Sequence, residues 1–492
     1  MIGRRSVPAD WRAEALVAGG LLLIAGIVGV THVMTGRALS YDEAMYASKA
    51  RSLVSDIPAA WWPIHRPPGL AVLGVLAAPA GFSDVSVRLL TLVLGLVNLV
   101  LVWALARSTW GAAAGLIALA AAVAARAFVR ELPRFHNDLV STAALILLML
   151  LLWNQFERRS APNRLLLAAG PIAATAFYLR YGSALPIAVI GALAIVLWGR
   201  RMLAHARLVG ATAGIAALLI LPHVLSSIAA TGSPAGIMRA ASAAANTTSA
   251  SESLRQTLQW IPTLIGAPFA WLVAAVGVIH AVILGVVWVR RRAMPRPLRR
   301  HVWILGTAAG SALLIGIASH AEPRYQLFPL MLGLVAGGGA IGSGIEWIDR
   351  ETRLGPRAAL VARAGLAAMI VILVLPAVRE VRRDALSREV TLQWWAETGA
   401  LIASDADGPC RLITSVPPLV GWYARCETQL LADRPSAWLD ERNAVPTYVV
   451  LGPADHRRLP ERLAAHQDLV DSGRLVPIDG TPEDVDLYRA AP

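Results

Sequence analysis

Apolar residues occupy the chain in long blocks separated by short polar ones, and the block length is the first informative quantity. About 20 apolar residues in a helix cross the roughly 30 Å of a bilayer's hydrocarbon. Such blocks lie near 13–34, 86–106, 110–129, 139–156, 164–179, 183–199, 208–228, 263–289, 302–319, 326–347 and 358–377. The pattern predicts a polytopic α-helical membrane protein with about 11 transmembrane helices. A shorter stretch, Gly69–Phe82, opens behind Pro67 and Pro68 and is expected to lie on the membrane surface.

Arginines between the blocks set the expected orientation. If Gly69–Phe82 does not cross, then Arg4, Arg5, Arg107, Arg158, Arg159, Arg164, Arg200, Arg201 and Arg207 fall on one side, with the cluster from Arg290 to Arg300 and Arg350, Arg353 and Arg357. The positive-inside rule makes that side the cytoplasm, so the N-terminus is expected inside. The loop at 35–85, the turn Arg134–Asp138, the loop at 229–262 and the turn His320–Arg324 then face outward. The run from Ala13 to Met34 is too long for a signal-peptide core and is read as a retained first span.

Beyond residue 378 the pattern changes. Short apolar strands (Arg411–Val416, Thr447–Leu451) alternate with helix-like polar stretches such as Ala454–Asp471, and Gly408, Pro409, Pro417 and Pro418 punctuate them. The expected organisation is a transmembrane domain over 1–378 and a small α/β extracytoplasmic domain over 379–492. Its two cysteines, Cys410 and Cys426, suit either a disulfide outside the cytoplasm or two buried thiols.

Composition agrees with a lipid-facing chain: 56% of the 492 residues are hydrophobic and 16% charged. The net charge of +13 comes from dispersed arginine clusters, with Lys49 the only lysine, so topology explains it better than a nucleic-acid surface.

Unusual polar residues gather in the outward segments. Tyr41, Asp42, Glu43 and Tyr46 follow the first span directly, and paired carboxylates at a membrane boundary are costly unless solvated or paired. In the same loop Trp61 and Trp62 precede His65, Arg66, Pro67 and Pro68. Asp138 stands at the mouth of the fourth span, Arg180 and Tyr181 at an outward end, and Glu322, Arg324 and Tyr325 flank Pro323. Each set has a plain structural reading beside the functional one: a solvated turn, an aromatic belt, a helix N-cap at Asp138, a snorkelling Arg180 and an intra-turn ion pair at Glu322.

As an ordered set, Asp42-Glu43, His65-Arg66-Pro67-Pro68, Asn137-Asp138 and Glu322-Pro323-Arg324-Tyr325 resemble the GT-C glycosyltransferases. The similarity is to the protein-mannosyltransferase and aminoarabinose-transferase branch (glycosyltransferase family 39-like) and covers about the first 380 residues. It implies a GT-C fold and a polyprenyl-phosphate sugar donor. It also implies inverting transfer of a mannose- or arabinose-type sugar to a protein, lipid or glycan acceptor at the plasma membrane. Asp42 would be the general base, because an alcohol is a poor nucleophile at neutral pH. Asp138 would orient acceptor or sugar, and Arg66 would neutralise the leaving phosphate, where family members often carry lysine. Glu43, Tyr46, His65, Arg180, Glu322, Arg324 and Tyr325 would bind substrate or support the site. The scheme needs no cofactor; some relatives use a divalent ion, for which Asp42, Glu43 and Asp138 are the available ligands.

A transporter or a lipid-sugar flippase is the rival reading. Transporters place ionisable residues at mid-membrane, whereas these acids cluster at outward ends. Gly421-Trp422-Tyr423 in the tail, beside Cys426, reads as a core segment ahead of a sugar-stacking surface.

Overall fold

The computed structural model describes residues 9–34, 37–159, 161–245, 249–266, 268–291, 296–318, 322–352, 390–431, 445–452, 467–482 and 485–491. The span expected at 358–377 and the residue His320 lie outside them, and the helix-like stretch expected over Ala454–Asp471 is described only from residue 467.

In chain order the α-helices are α1 (Ala9–Val33), α2 (Tyr41–Ser52), α3 (Gly69–Gly74), α4 (Asp84–Trp110), α5 (Ala112–Ala124), α6 (Arg126–Glu131), α7 (Asn137–Trp153), α8 (Ala169–Leu179) and α9 (Ala184–Ala204). There follow α10 (Ala206–Thr231), α11 (Gly236–Ala245), α12 (Ala250–Ile265), α13 (Pro268–Arg291), α14 (Arg296–Ala318), α15 (Leu327–Thr352), α16 (Val390–Ala406) and α17 (Pro417–Ala424). Strands β1 to β5 are Arg411–Thr414, Glu427–Leu430, Thr447–Leu451, Leu475–Pro477 and Asp486–Ala490.

Among the described residues eight helices are long and apolar enough to cross a membrane, and all eight coincide with expected spans. Two expected spans are shorter. The run at 110–129 divides at Ala125, whose extended backbone (ψ 121°) ends the 13-residue α5 before α6 begins. The run at 164–179 opens with a 3-10 turn, Arg164–Ala168, and leaves only 11 residues to α8. Broken helices are tolerated at membrane depth where protein covers them, and α5 is buried almost throughout. Gly69–Phe82 forms the six-residue α3 and a 3-10 turn containing Pro79, too short to span.

The chain divides into two compact units. The first comprises Met1–His32, Thr91–Pro133 and Asn137–Arg382. It is a helix bundle whose core draws on Leu21, Leu99, Ala118, Phe128, Ile146, Trp303 and Met331. Small residues let its helices approach closely, as in other membrane bundles. A Cβ on Gly338 of α15 would stand 2.7 Å from the Ala114 carbonyl oxygen of α5, and one on Gly342 would stand 2.7 Å from the Ala114 nitrogen. The acid of α1, Glu14, is neutralised by Arg107 of α4 at 2.7 Å.

The second unit comprises Val33–Leu90, Arg134–His136 and Arg383–Pro492. Its five strands form one sheet in the order β2-β1-β3-β5-β4, with β1 parallel to β2 and β3 and with β5 antiparallel to β3 and β4. Central β3 is buried at every position, which is why Thr447–Leu451 reads as an unbroken apolar run. Of the two readings for the cysteines the disulfide holds: Cys410 and Cys426 are joined, 16 residues apart, so that the closed loop contains β1 and all of α17.

Candidate active site

Within the second unit the site begins where α2 begins. Ser40 precedes the helix, and its N–H donates to Glu43 Oε2 at 2.9 Å, so the third residue of the helix caps the first turn. Asp42 and Glu43 both lie in that turn, where free N–H groups and the helix dipole favour negative charge.

The two neighbours have different fates. Glu43 turns inward, its side chain 2% exposed, and meets Arg88 of α4 in a two-pronged pair: Nε to Oε1 at 2.9 Å and Nη2 to Oε2 at 3.0 Å. The Phe135 N–H adds a bond to Oε1 at 3.0 Å. Burial alone would raise the Glu43 carboxyl. The Arg88 charge and hydrogen bonds, with His136 and the Ser40 N–H, outweigh it and hold the group well below the usual carboxylate range. Arg88 also donates to the carbonyl oxygens of Arg37 and Ala38, fixing the strand of chain that leads into α2.

Asp42 is more open, its side chain 14% exposed, and pairs with Arg66 at 3.0 Å. The Arg66 N–H closes a turn on the Pro63 carbonyl, which sets the guanidinium opposite the start of α2. Aromatic rings frame this pair: Tyr41 meets Trp61 edge-on at 6.2 Å, and buried Tyr46 meets Trp62 at 5.6 Å. Trp61 takes a left-handed backbone (φ 45°), an uncommon state for a bulky residue and a sign of a constrained loop. Half-buried His65 is pushed below the ordinary imidazole value by burial and by Arg66. Tyr41 is pushed up to about 12 by burial, with Asp42 adding to it and Arg66 opposing.

Within the first unit a separate cluster surrounds Asp138. The residue lies inside the first turn of α7 and is not its N-cap; Asn137 begins the helix and donates to the Leu179 carbonyl at 3.0 Å. Asp138, 2% exposed, binds Arg180 at 2.8 Å and Arg324 at 3.6 Å. Arg324 also pairs with Glu322 at 2.9 Å. The Arg180 guanidinium lies 4.0 Å from the centre of the Tyr325 ring, an attractive cation-π distance. Arg180 is therefore engaged by an acid and a ring and is no simple snorkelling side chain.

Several functional contacts were not anticipated. Arg88 stands four residues into α4 and looks in sequence like the boundary of the span expected at 86–106. Asp84 accepts from Trp422 Nε1 at 2.7 Å and from the Tyr423 hydroxyl at 2.6 Å, which assigns Trp422 and Tyr423 to anchoring rather than to an open sugar surface. Among the described residues no three His, Cys, Asp or Glu side chains gather as a metal set would. The three acids available to a divalent ion are ion-paired: Asp42 to Arg66, Glu43 to Arg88, and Asp138 to Arg180 and Arg324.

The architecture matches known structures along nearly its whole length. The crystal structure of ArnT from Cupriavidus metallidurans bound to undecaprenyl phosphate superposes with a TM-score of 0.69 at 14% identity, covering 99% of this chain and 100% of that one. The Archaeoglobus fulgidus oligosaccharyltransferase tethered to an acceptor peptide gives a TM-score of 0.57 at 13% identity, covering 96% of this chain and 74% of that one. AglB of the same organism, in complex with an inhibitory peptide and a dolichol-phosphate, gives 0.55 at 13% identity over 89% and 70%. No curated protein sequence matches the chain.

The eight apolar helices, the small terminal sheet and these superpositions define a multi-pass membrane protein of the GT-C fold. Within that fold, residues 65–225 match the family model of the dolichyl-phosphate-mannose-protein mannosyltransferases, the branch that the ordered motifs resemble.

Proposed function

We propose that this chain is an integral membrane glycosyltransferase that moves a sugar from a polyprenyl-phosphate carrier to an acceptor hydroxyl on the extracytoplasmic side, with inversion at the anomeric carbon. The observation that carries the reading is the Asp42–Arg66 pair: a partly exposed carboxylate at a helix start, 3.0 Å from a cation suited to phosphate. The fold match and the mannosyltransferase-family segment support the same reaction class.

Asp42 takes the proton of the acceptor hydroxyl as its oxygen bonds to the anomeric carbon. The bond from that carbon to the phosphate oxygen breaks in the same displacement, and its electron pair leaves with the polyprenyl phosphate. Arg66 neutralises the charge that develops there. A carboxylate held by a guanidinium is a poor base, so the donor phosphate has a second effect: by competing for Arg66 it weakens that ion pair's hold on Asp42 when donor is present. His65, whose charged form burial and Arg66 disfavour, Tyr46 and the tryptophans shape the donor's approach. Glu43 holds the loop through Arg88. Asp138, oriented by Arg180 and Arg324, positions the acceptor or sugar, with Glu322 and Tyr325 completing its surroundings.

The sugar is proposed to be of mannose or arabinose type and the acceptor a protein, lipid or glycan. The N-terminus is placed in the cytoplasm and the C-terminal sheet outside it; the charge bias of the loops and the Cys410–Cys426 disulfide both favour this orientation.

The test is release of labelled sugar from a panel of polyprenyl-phosphate sugars by the purified protein, with Asp42→Asn as the variant that keeps shape and removes the base. Loss of turnover with donor binding retained supports the assignment. Wild-type protein that consumes no donor with any acceptor class overturns it.

A further inference from the structure

The acids of α2 are held in place from a distant part of the sequence. Helix α17, nearly 400 residues beyond the α2 acids, touches both the segment that enters α2 and the trailing end of α2. At the leading end the Tyr423 hydroxyl accepts the Leu39 N–H at 2.8 Å, three residues before Asp42, and donates to Asp84 Oδ2 at 2.6 Å. At the trailing end Arg51 Nη1 donates to the Trp422 carbonyl at 2.9 Å, and its guanidinium lies 4.5 Å from the Trp422 ring centre. Trp422 Nε1 reaches Asp84 Oδ1 at 2.7 Å, so one carboxylate binds both aromatic residues. Asp84 and Arg88 lie one helical turn apart on α4, and Arg88 grips the carbonyls of Arg37 and Ala38 and the Glu43 carboxylate.

Geometry makes this more than packing. The chain entering α2 has its consecutive backbone groups at residues 37, 38 and 39 each held by a side chain, and Glu43 is held as well, so the first turn of α2 has little freedom of rotation. Arg51 has two guanidinium nitrogens, Nε and Nη2, buried without a hydrogen-bond partner, so its place beside Trp422 is kept at some cost. Gly421 permits the approach: a Cβ there would stand 2.8 Å from the Ala60 side chain. The disulfide closes the loop that contains α17, joining the residue before β1 to the residue before β2.

We propose that α17 is a positioning clamp for α2, with Tyr423 the residue that fixes the register of Asp42 and the Cys410–Cys426 disulfide the tie that holds the clamp on its sheet. The inference rests on Asp42 being the general base. Misplacing a catalytic group by about 1 Å costs on the order of a hundredfold in rate, so the clamp acts on turnover and not on donor affinity.

The experiment compares full-length Tyr423→Phe with Tyr448→Phe. The control removes another tyrosine-to-aspartate hydrogen bond of the same unit, Tyr448 to Asp405, remote in sequence from residues 37–46. Two readouts are taken: amide hydrogen exchange over residues 37–46, which needs no activity, and steady-state kinetics with a polyprenyl-phosphate sugar. The expected result for Tyr423→Phe is faster exchange over residues 39–43 and a ten- to hundredfold fall in kcat with donor KM unchanged. The control should leave both as in wild type. Treatment with a phosphine reductant should reproduce the Tyr423→Phe pattern. Unchanged exchange in Tyr423→Phe overturns the clamp itself. Faster exchange with unchanged kcat, or an equal kcat loss in the control, overturns its positioning role. A wild-type protein without turnover defeats the reading of Asp42, and the exchange data still decide whether the clamp exists.

Discussion

Asp42 and Arg66 face each other across 3.0 Å at the start of α2, so the proposed base and the proposed phosphate ligand neutralise one another. The pair gives a clear expectation for Arg66. Arg66→Ala removes the charge that stabilises the leaving phosphate and should lower kcat by about a hundredfold or more. Arg66→Lys, which keeps the charge in the form many family members carry, should recover much of it. Steady-state turnover with one donor and saturating acceptor measures both.

Glu43 should govern acid stability. Its carboxyl is held below the usual range in the folded state by Arg88, so its contribution is fully present above about pH 4.3, the unfolded carboxyl value. It is lost as pH falls toward the lower folded value. The Tm of detergent-solubilised protein should therefore drop between about pH 5 and pH 3, and Glu43→Gln should start lower and flatten that drop. Removing one partner of a buried ion pair costs about 3–5 kcal/mol, so the variant's loss at pH 7 should be large.

Asp138 pairs with two guanidiniums, and Asp138→Asn removes the acid that Arg180 and Arg324 share while leaving the Arg324–Glu322 pair. Turnover should fall at least tenfold while donor KM stays within a few-fold, because the residue is assigned to acceptor or sugar orientation. A variant with wild-type turnover would remove Asp138 from the site.

Orientation is open to direct labelling. A cysteine at Ser472, exposed in the C-terminal unit, should react with a membrane-impermeant maleimide in intact cells. One at Arg159, in an arginine-bearing loop, should react only after lysis. The reverse pattern would invert the topology.

Much of this architecture is legible in the sequence because lipid imposes a length rule on helices, and all eight long spans obey it. The rule fails where protein replaces lipid: α5 and α8 are shorter than a bilayer is thick, and no hydropathy pattern distinguishes a covered helix from a spanning one. The acids of the candidate site stand out because charge at a membrane boundary is rare. Their partners do not. Arg88 hides as an ordinary span boundary, and the bond from Tyr423 to Leu39 joins residues 384 positions apart, a pairing that no local pattern encodes. Beside the long insertion Val33–Leu90, the three residues Arg134–His136 also leave the first unit to join the second, and nothing in their composition marks them.

The close seam of α15 against α5 bears on how such a fold endures sequence drift. Most bundle positions ask only for an apolar side chain of passable volume, so wide substitution leaves the helices where they are. At Gly338 and Gly342 a single added methyl would meet backbone atoms that have nowhere to go. The molecule is thus a lenient reader of its own code along most of each helix and a strict one where two backbones meet. A shared GT-C architecture at 14% identity is what a scaffold of that kind permits.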